Sequence, residues 1–184
     1  MNLDFLNSKS LTHKDKLSKA FALMIHPQII KCSVHFAFEV LPIFESAFPN
    51  EKEPRLAIEA ALAFVADPTE ANKEAAHAAG NAANAAHATH AASNAFNAAG
   101  YAAFSASSAA YTAAHAAYAS NGAHTAASSA SSASSAVSVE KAQINIVRNV
   151  LDGDKASKED VKQMAREWAE ALGIEILGPT ILEG

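Results

Sequence analysis

Between Ala75 and Val139 the chain carries no Asp, Glu, Lys or Arg: 65 consecutive residues without a formal charge, 30 of them alanine. The gap is not a membrane span. Twelve Ser, five Asn, five His and three Thr interrupt its apolar residues every few positions, so no window approaches the run of about 18 apolar residues that a bilayer helix requires. Cysteine is nearly missing as well, and the single Cys32 excludes an internal disulfide. Positive charge is scarce: eight basic residues face ten acidic ones before Ala75, and six face nine after Val139. No Lys/Arg cluster alternates with aromatics, which argues against a nucleic-acid partner. The opening residues, MNLDFLNSKSLTHKDK, lack the charged, apolar, small-residue order of a signal peptide. These absences place the protein in a bacterial-type cytoplasm, with neither nucleic acid nor membrane as partner and no cofactor implied.

Strand signals are also wanting, and helix signals fill the chain. The 184 residues suit one all-helical domain, with N-terminal helices over 1–66, Ala-rich helices over 67–151, a C-terminal helix over 157–173 and an apolar tail over 174–184. Thr12 followed by Asp15 reads as a capping box opening a helix with Leu17, Phe21, Leu23 and Met24. From Gln28 to Phe48 a buried face of Ile30, Val34, Ala37, Leu41, Phe44 and Phe48 is interrupted by Pro42, which predicts a kink or break at Leu41. Pro54 suits the first residue of the next helix. Asp67-Pro68-Thr69-Glu70 predicts an N-cap at Asp67. One helix through the whole uncharged run would be nearly 100 Å long at about 1.5 Å per residue. Gly100 and Asn121-Gly122 are the expected breaks, giving rods over 68–99, 101–120 and 124–151, with the helix continuing through Gly80.

Within that run Ala92, Ala95, Ala99, Ala102, Ala106, Ala109, Ala113 and Ala116 step by three and four, the heptad spacing of a packing seam with alanine in place of leucine. Closely packed Ala-rich central helices follow. A second stripe holds the larger residues: His77, Asn81, Asn84, His87, His90, Asn94, Asn97, Tyr101, Phe104, Ser108, Tyr111, His115 and Tyr118. Its amides and imidazoles are expected to hydrogen-bond across helices, because burying them unpaired costs on the order of 1–3 kcal/mol each.

Catalytic patterns are missing. No G-x-S-x-G elbow, phosphate-cradling glycine loop or H-E-x-x-H helix occurs, so no enzyme is expected. If a metal binds, His77, His87 and His90 are its ligands, although the run offers no acidic or thiolate partner. Cys32 and His35 form a C-x-x-H pair without a readable third group, and a buried thiol is the simpler reading. Glu39 and Glu45, on either side of Pro42, read as a solvated helix face.

Val40-Leu41-Pro42-Ile43-Phe44-Glu45, then Arg55-Leu56-Ala57-Ile58-Glu59-Ala60-Ala61, then Ala75-Ala76-His77-Ala78-Ala79 and Ala86-His87-Ala88-Thr89-His90-Ala91-Ala92 resemble a family of small Ala/His-rich bacterial immunity proteins. The likeness covers roughly residues 30 to 120. It implies an all-helical, non-enzymatic protein that binds and neutralises a toxin or effector. The docking residues would come from the His/Asn stripe (His77, Asn84, His87, His90, His115) or from Glu45 and the acidic loop of Glu51 and Glu53. The competing readings are a His-dependent metal-binding protein and an ice-binding helical protein. Against the latter, Thr89, Thr112 and Thr125 are spaced by 23 and 13 residues rather than by the regular repeat of about eleven that aligns one face every three turns. The alanine seams can also pair two copies of the chain as a homodimer.

Overall fold

The computed structural model describes residues 3–91, 97–134 and 137–153. Within them the chain is an all-α bundle of α1 (His13–Phe21), α2 (His26–Ala47), α3 (Glu53–Ala66), α4 (Glu70–Ala91), α5 (Asn97–Ala114), α6 (Ala119–Ser134) and α7 (Val137–Gly153), with short 3-10 helices at Asp4–Asn7 and Ala116–Tyr118 and no strand. The helix expected over 157–173 and the tail over 174–184 lie outside the described residues. None of the described helices is long and apolar enough to cross a membrane.

Local chemistry sets most of the starts. Thr12 and Asp15 form the reciprocal capping box at α1. Pro27 and Pro54 occupy the first turns of α2 and α3, where a missing N–H costs nothing. At α4 the cap is two residues later than expected. The Thr69 side chain accepts from the Asn72 backbone N–H at 3.2 Å, while Asn72 Nδ2 donates to the Asp67 carbonyl at 2.7 Å. Asp67 therefore closes α3, and Thr69 opens α4.

Helix α2 runs unbroken through Pro42 to Ala47, against the expected interruption. Leu41 and Phe44, on either side of the exposed proline, are fully buried, and that packing holds the helix across the lost hydrogen bond, a cost of about 3 kcal/mol. The helix buries two faces rather than one. Ile29, Cys32, Phe36, Val40 and Phe44 pack with α1, α6 and α7, whereas Ile30, Val34, Ala37 and Leu41 pack with α3 and α5.

Helix α5 is the axis of the bundle, in contact with α2, α3, α4 and α6. Of the expected seam, Ala102, Ala106, Ala109 and Ala113 are 0 % exposed, and so are Ala103 and Ala110 beside it, so burial extends around the helix; Ala92, Ala95 and the side chain of Ala99 lie outside what is described. Its buried serines reach sideways: Ser105 Oγ donates to the Ala126 carbonyl of α6 at 2.8 Å, and Ser107 Oγ donates to the Gly80 carbonyl of α4 at 2.9 Å. A carbonyl has two lone pairs, so each accepts the cross-helix bond beside its own helical one. Such bonds require backbones in near contact. A Cβ at Gly80 would already meet Ala110 Cβ at 3.3 Å.

The glycines expected to break the run lie within helices. Gly100 lies inside α5 and Gly122 inside α6. The interruption sits instead at His115, whose backbone (φ −132°, ψ 85°) leaves the helix before the short Ala116–Tyr118 turn. Ala116, the expected last residue of the seam, is consequently exposed. The rod expected over 124–151 is two helices, α6 and α7. Gly122 faces Thr112, which is buried and donates to the Ser108 carbonyl at 2.8 Å.

A Cβ at position 122 would lie 2.4 Å from Thr112 Oγ1. Gly122→Ala gains about 1 kcal/mol of helix propensity, but overpacking costs roughly 1–3 kcal/mol, and contact this short falls at the upper end. We expect a net loss of about 1–2 kcal/mol by urea unfolding. Thr112→Ala in the same chain should recover part of it, giving non-additivity in a double-mutant cycle.

Candidate functional site

Helices α4 and α5 lie antiparallel, and their larger side chains meet along one margin of the seam. At the start of α4, the His77 ring stands 5.2 Å from His115 at 89° and 5.6 Å from Tyr111 at 71°, both edge-to-face; Tyr111 and His115 are 6.2 Å apart and nearly parallel at 23°. Tyr111 donates its hydroxyl to Asn81 Oδ1. Edge-to-face rings attract through their quadrupoles, so the four side chains form one ordered cluster. His77, Asn81 and His115 remain exposed. Asn84 follows on α4, also exposed.

Further along, His87 Nδ1 bonds to the Gly100 carbonyl at 2.8 Å, and its ring stacks on Phe104 at 4.7 Å with Tyr101 at 6.2 Å. Donation to a carbonyl sets the proton on Nδ1 and leaves Nε2 as the acceptor of the neutral ring. Within the stripe read from the sequence, His77, Asn81 and His87 meet Tyr101, Phe104, Tyr111 and His115 across the two helices, whereas Asn84 and Tyr118 are exposed and the side chains of Asn94 and Asn97 lie outside what is described. The His90 side chain lies outside what is described.

The acidic candidates belong elsewhere. Glu45 is gripped by Arg55 through two bonds, Nε to Oε1 at 2.6 Å and Nη2 to Oε2 at 3.0 Å, which clamps the end of α2 to the start of α3. That hydrogen bond raises the Arg55 pKa against the opposing effect of burial. Glu51 and Glu53 lie at the same turn, and Glu53 Oε2 is enclosed without a hydrogen-bond partner among the described residues. His26, at the opposite end of α2, bonds to the Thr112 carbonyl at 2.7 Å, beside the His77 cluster. The 22 residues of α2 separate the two ends by about 30 Å. The His77 cluster and the acidic turn therefore cannot share one small ligand. His77 and His87 are ten residues apart on α4, about 15 Å of rise, and no three His, Cys, Asp or Glu side chains converge as a metal site among the described residues.

One region carried no sequence flag. Helix α1 packs on α6 and α7, where His13 Nε2 meets Gln143 Oε1 at 2.7 Å and Ser18 Oγ meets His124 Nε2 at 3.1 Å. A groove of about 500 Å³ runs between α1 and α7, past Lys16, Lys141 and Arg148. A smaller one of about 260 Å³ continues beyond His13 towards His124. The spacing of Lys141, Ile144 and Arg148 marks one helix face, but their meeting with α1, some 130 residues away, is a tertiary fact.

Compared with known proteins, the chain matches no family model, no curated protein and no solved structure.

Two groups in α2, the buried Cys32 and the partly buried His35, are structural in character. Cys32 is enclosed, its thiol 3.8 Å from Met24 Sδ. Burial, assisted by the charge of Lys31, lowers the His35 pKa to about 3. The folded value lies below that of the unfolded chain, about 6.5, so the unfolded chain takes up the proton first. Stability is therefore full above about pH 6.5 and falls as pH drops towards 3. Between pH 7 and 5 this single group should remove about 2 kcal/mol. His35→Leu should flatten the urea-unfolding difference between those pH values by that amount, and an unchanged difference would assign the acid sensitivity elsewhere.

Proposed function

We propose that the protein is a non-enzymatic binding module that sequesters a protein partner through the α4–α5 face. The observation that carries this reading is the character of that face. About a quarter of residues in an ordinary globular chain are charged, yet from His77 to Ala88 the exposed positions of α4 are His77, Ala78, Asn81, Ala82, Asn84, Ala85 and Ala88, joined by His115 just past the end of α5. Interface centres are depleted in charge and enriched in aromatic side chains. Ordering the rings of His77, Tyr111 and His115 before a partner arrives also lowers the entropy cost of binding them. Small side chains between the rings let a partner backbone approach closely.

The partner's class comes from the resemblance to immunity proteins: a toxin or effector that this chain neutralises by occupying its surface. Of the matching histidines, His77 and His87 lie in the α4–α5 band and the His90 side chain lies outside what is described, while Glu45 acts within the protein as the α2–α3 clamp. An ice-binding face draws no support from Thr112, which is 1 % exposed and bonded inside α5.

The test is co-purification from extract of the native host, using the full chain and two face variants, Ala82→Glu and Asn84→Arg. Each places a charge at the centre of the face without touching the core. We expect one specific protein to be retained, its recovery to fall at least about tenfold in both variants (about 1.4 kcal/mol), and helicity to be unchanged. Retention of no specific protein, or equal retention by the variants, would sink the reading. If the wild type sediments as a dimer that the variants dissociate, the face is a self-interface instead.

A further inference from the structure

The groove between α1 and α7 concentrates positive charge in a chain whose net charge is −5. Lys16, Lys141 and Arg148 line it against one carboxylate, Glu140, three cations to one anion. Arg148 is held by neutral groups: Nη2 donates to Asn7 Oδ1 at 2.8 Å and Nη1 to Asn145 Oδ1 at 3.4 Å. Amide oxygens orient the guanidinium without cancelling its charge, and they leave three of its five donors for another acceptor. Neither lysine is ion-paired among the described residues.

His13 is positioned from inside the protein. Gln143 is 0 % exposed and donates Nε2 to the Ala127 carbonyl at 2.9 Å, so its Oε1 is the atom turned to His13. His13 Nε2 must then donate, and Nδ1 remains outside that bond. Leu6 and Ile144 supply an apolar floor. A volume of about 500 Å³ lies within the roughly 300–1,000 Å³ of small-molecule pockets. Lys141 and Arg148, seven residues apart on one face, stand about 10 Å apart along the helix, too far to be served by a single compact acid group.

We propose that this groove binds a small anion carrying two or more acidic groups, with Arg148 as the oriented donor and Lys16 and Lys141 as the flexible ones. The site is separate from the α4–α5 face. Bidentate acceptance by a phosphate or carboxylate suits the free edge of the guanidinium, and Glu140 opposes long, densely charged polyanions.

Isothermal titration of the full chain at constant ionic strength, with sodium pyrophosphate and sodium citrate as separate probes, tests this. At least one probe should bind saturably at 1:1 with Kd below about 1 mM. Arg148→Gln and Lys141→Gln should each weaken it about tenfold or more, and Glu140→Gln should tighten it. Lys52→Gln, at the α2–α3 turn and outside the groove's lining, where Lys52 Nζ bonds to the Pro49 carbonyl, should change it less than twofold. Circular dichroism checks that every variant folds. Saturation by only one probe names the acid group. No saturation by either probe overturns the proposal. An equal loss in Lys52→Gln also overturns it, since the effect is then bulk charge alone.

Discussion

The fold depends on how closely helix backbones approach around α5. Alanine buries little apolar area, and by the area rule its methyl contributes well below the roughly 1.5–3 kcal/mol of a buried Leu or Phe. What it gives is distance. With Ala on every side of α5 and Gly80 and Gly122 on its neighbours, a serine hydroxyl only one carbon from the backbone can reach the carbonyl of the next helix. Ser105 and Ser107, both 0 % exposed, are thereby satisfied where an unpaired buried hydroxyl would cost on the order of 1–3 kcal/mol. Close approach and buried serine are one device: each needs the other.

Larger apolar groups are placed where the small ones cannot provide enough burial. Phe21, Phe36, Phe44, Leu17 and Val147 fill the space between α1, α2, α6 and α7, while Ile30, Leu41, Ile58 and Leu62 fill that between α2, α3 and α5. Helix α2 belongs to both, which accounts for its continuity through Pro42. The same economy of size pushes the imidazoles, amides and phenols of α4 and α5 to the margin of the seam, where they meet across the two helices and stay partly in contact with solvent. A surface that is uncharged yet ordered follows from the packing.

Legibility in the sequence tracked the range of the interaction. Thr12 with Asp15, and Pro54, announced helix starts because a cap is decided within four residues. The Ala and His/Asn stripes announced two faces because helical periodicity is local. Gly122 misled for a physical reason: glycine ends helices when its backbone must turn and permits them when another helix must come near, and only the neighbour's position separates the cases. Of the candidate site, His77, His87 and His115 were legible as one stripe. Their ring partners were not, nor was the engagement of Glu45 by Arg55 ten residues on.

By itself, the order of amino acids determined helix as the state of nearly every described residue, the alanine seam as its packing principle and the stripe along which larger side chains would meet, since propensity and a 3.6-residue period are properties of the chain alone. Tertiary structure decided the rest. It chose α5 as the axis, put the interruption at His115, separated the acidic turn from the His77 cluster by the length of α2, and joined α1 to α7 around His13, Lys16 and Arg148. Those outcomes depend on which surfaces touch, and contact between residues a hundred positions apart is set by the summed packing of the whole bundle, which no local pattern encodes.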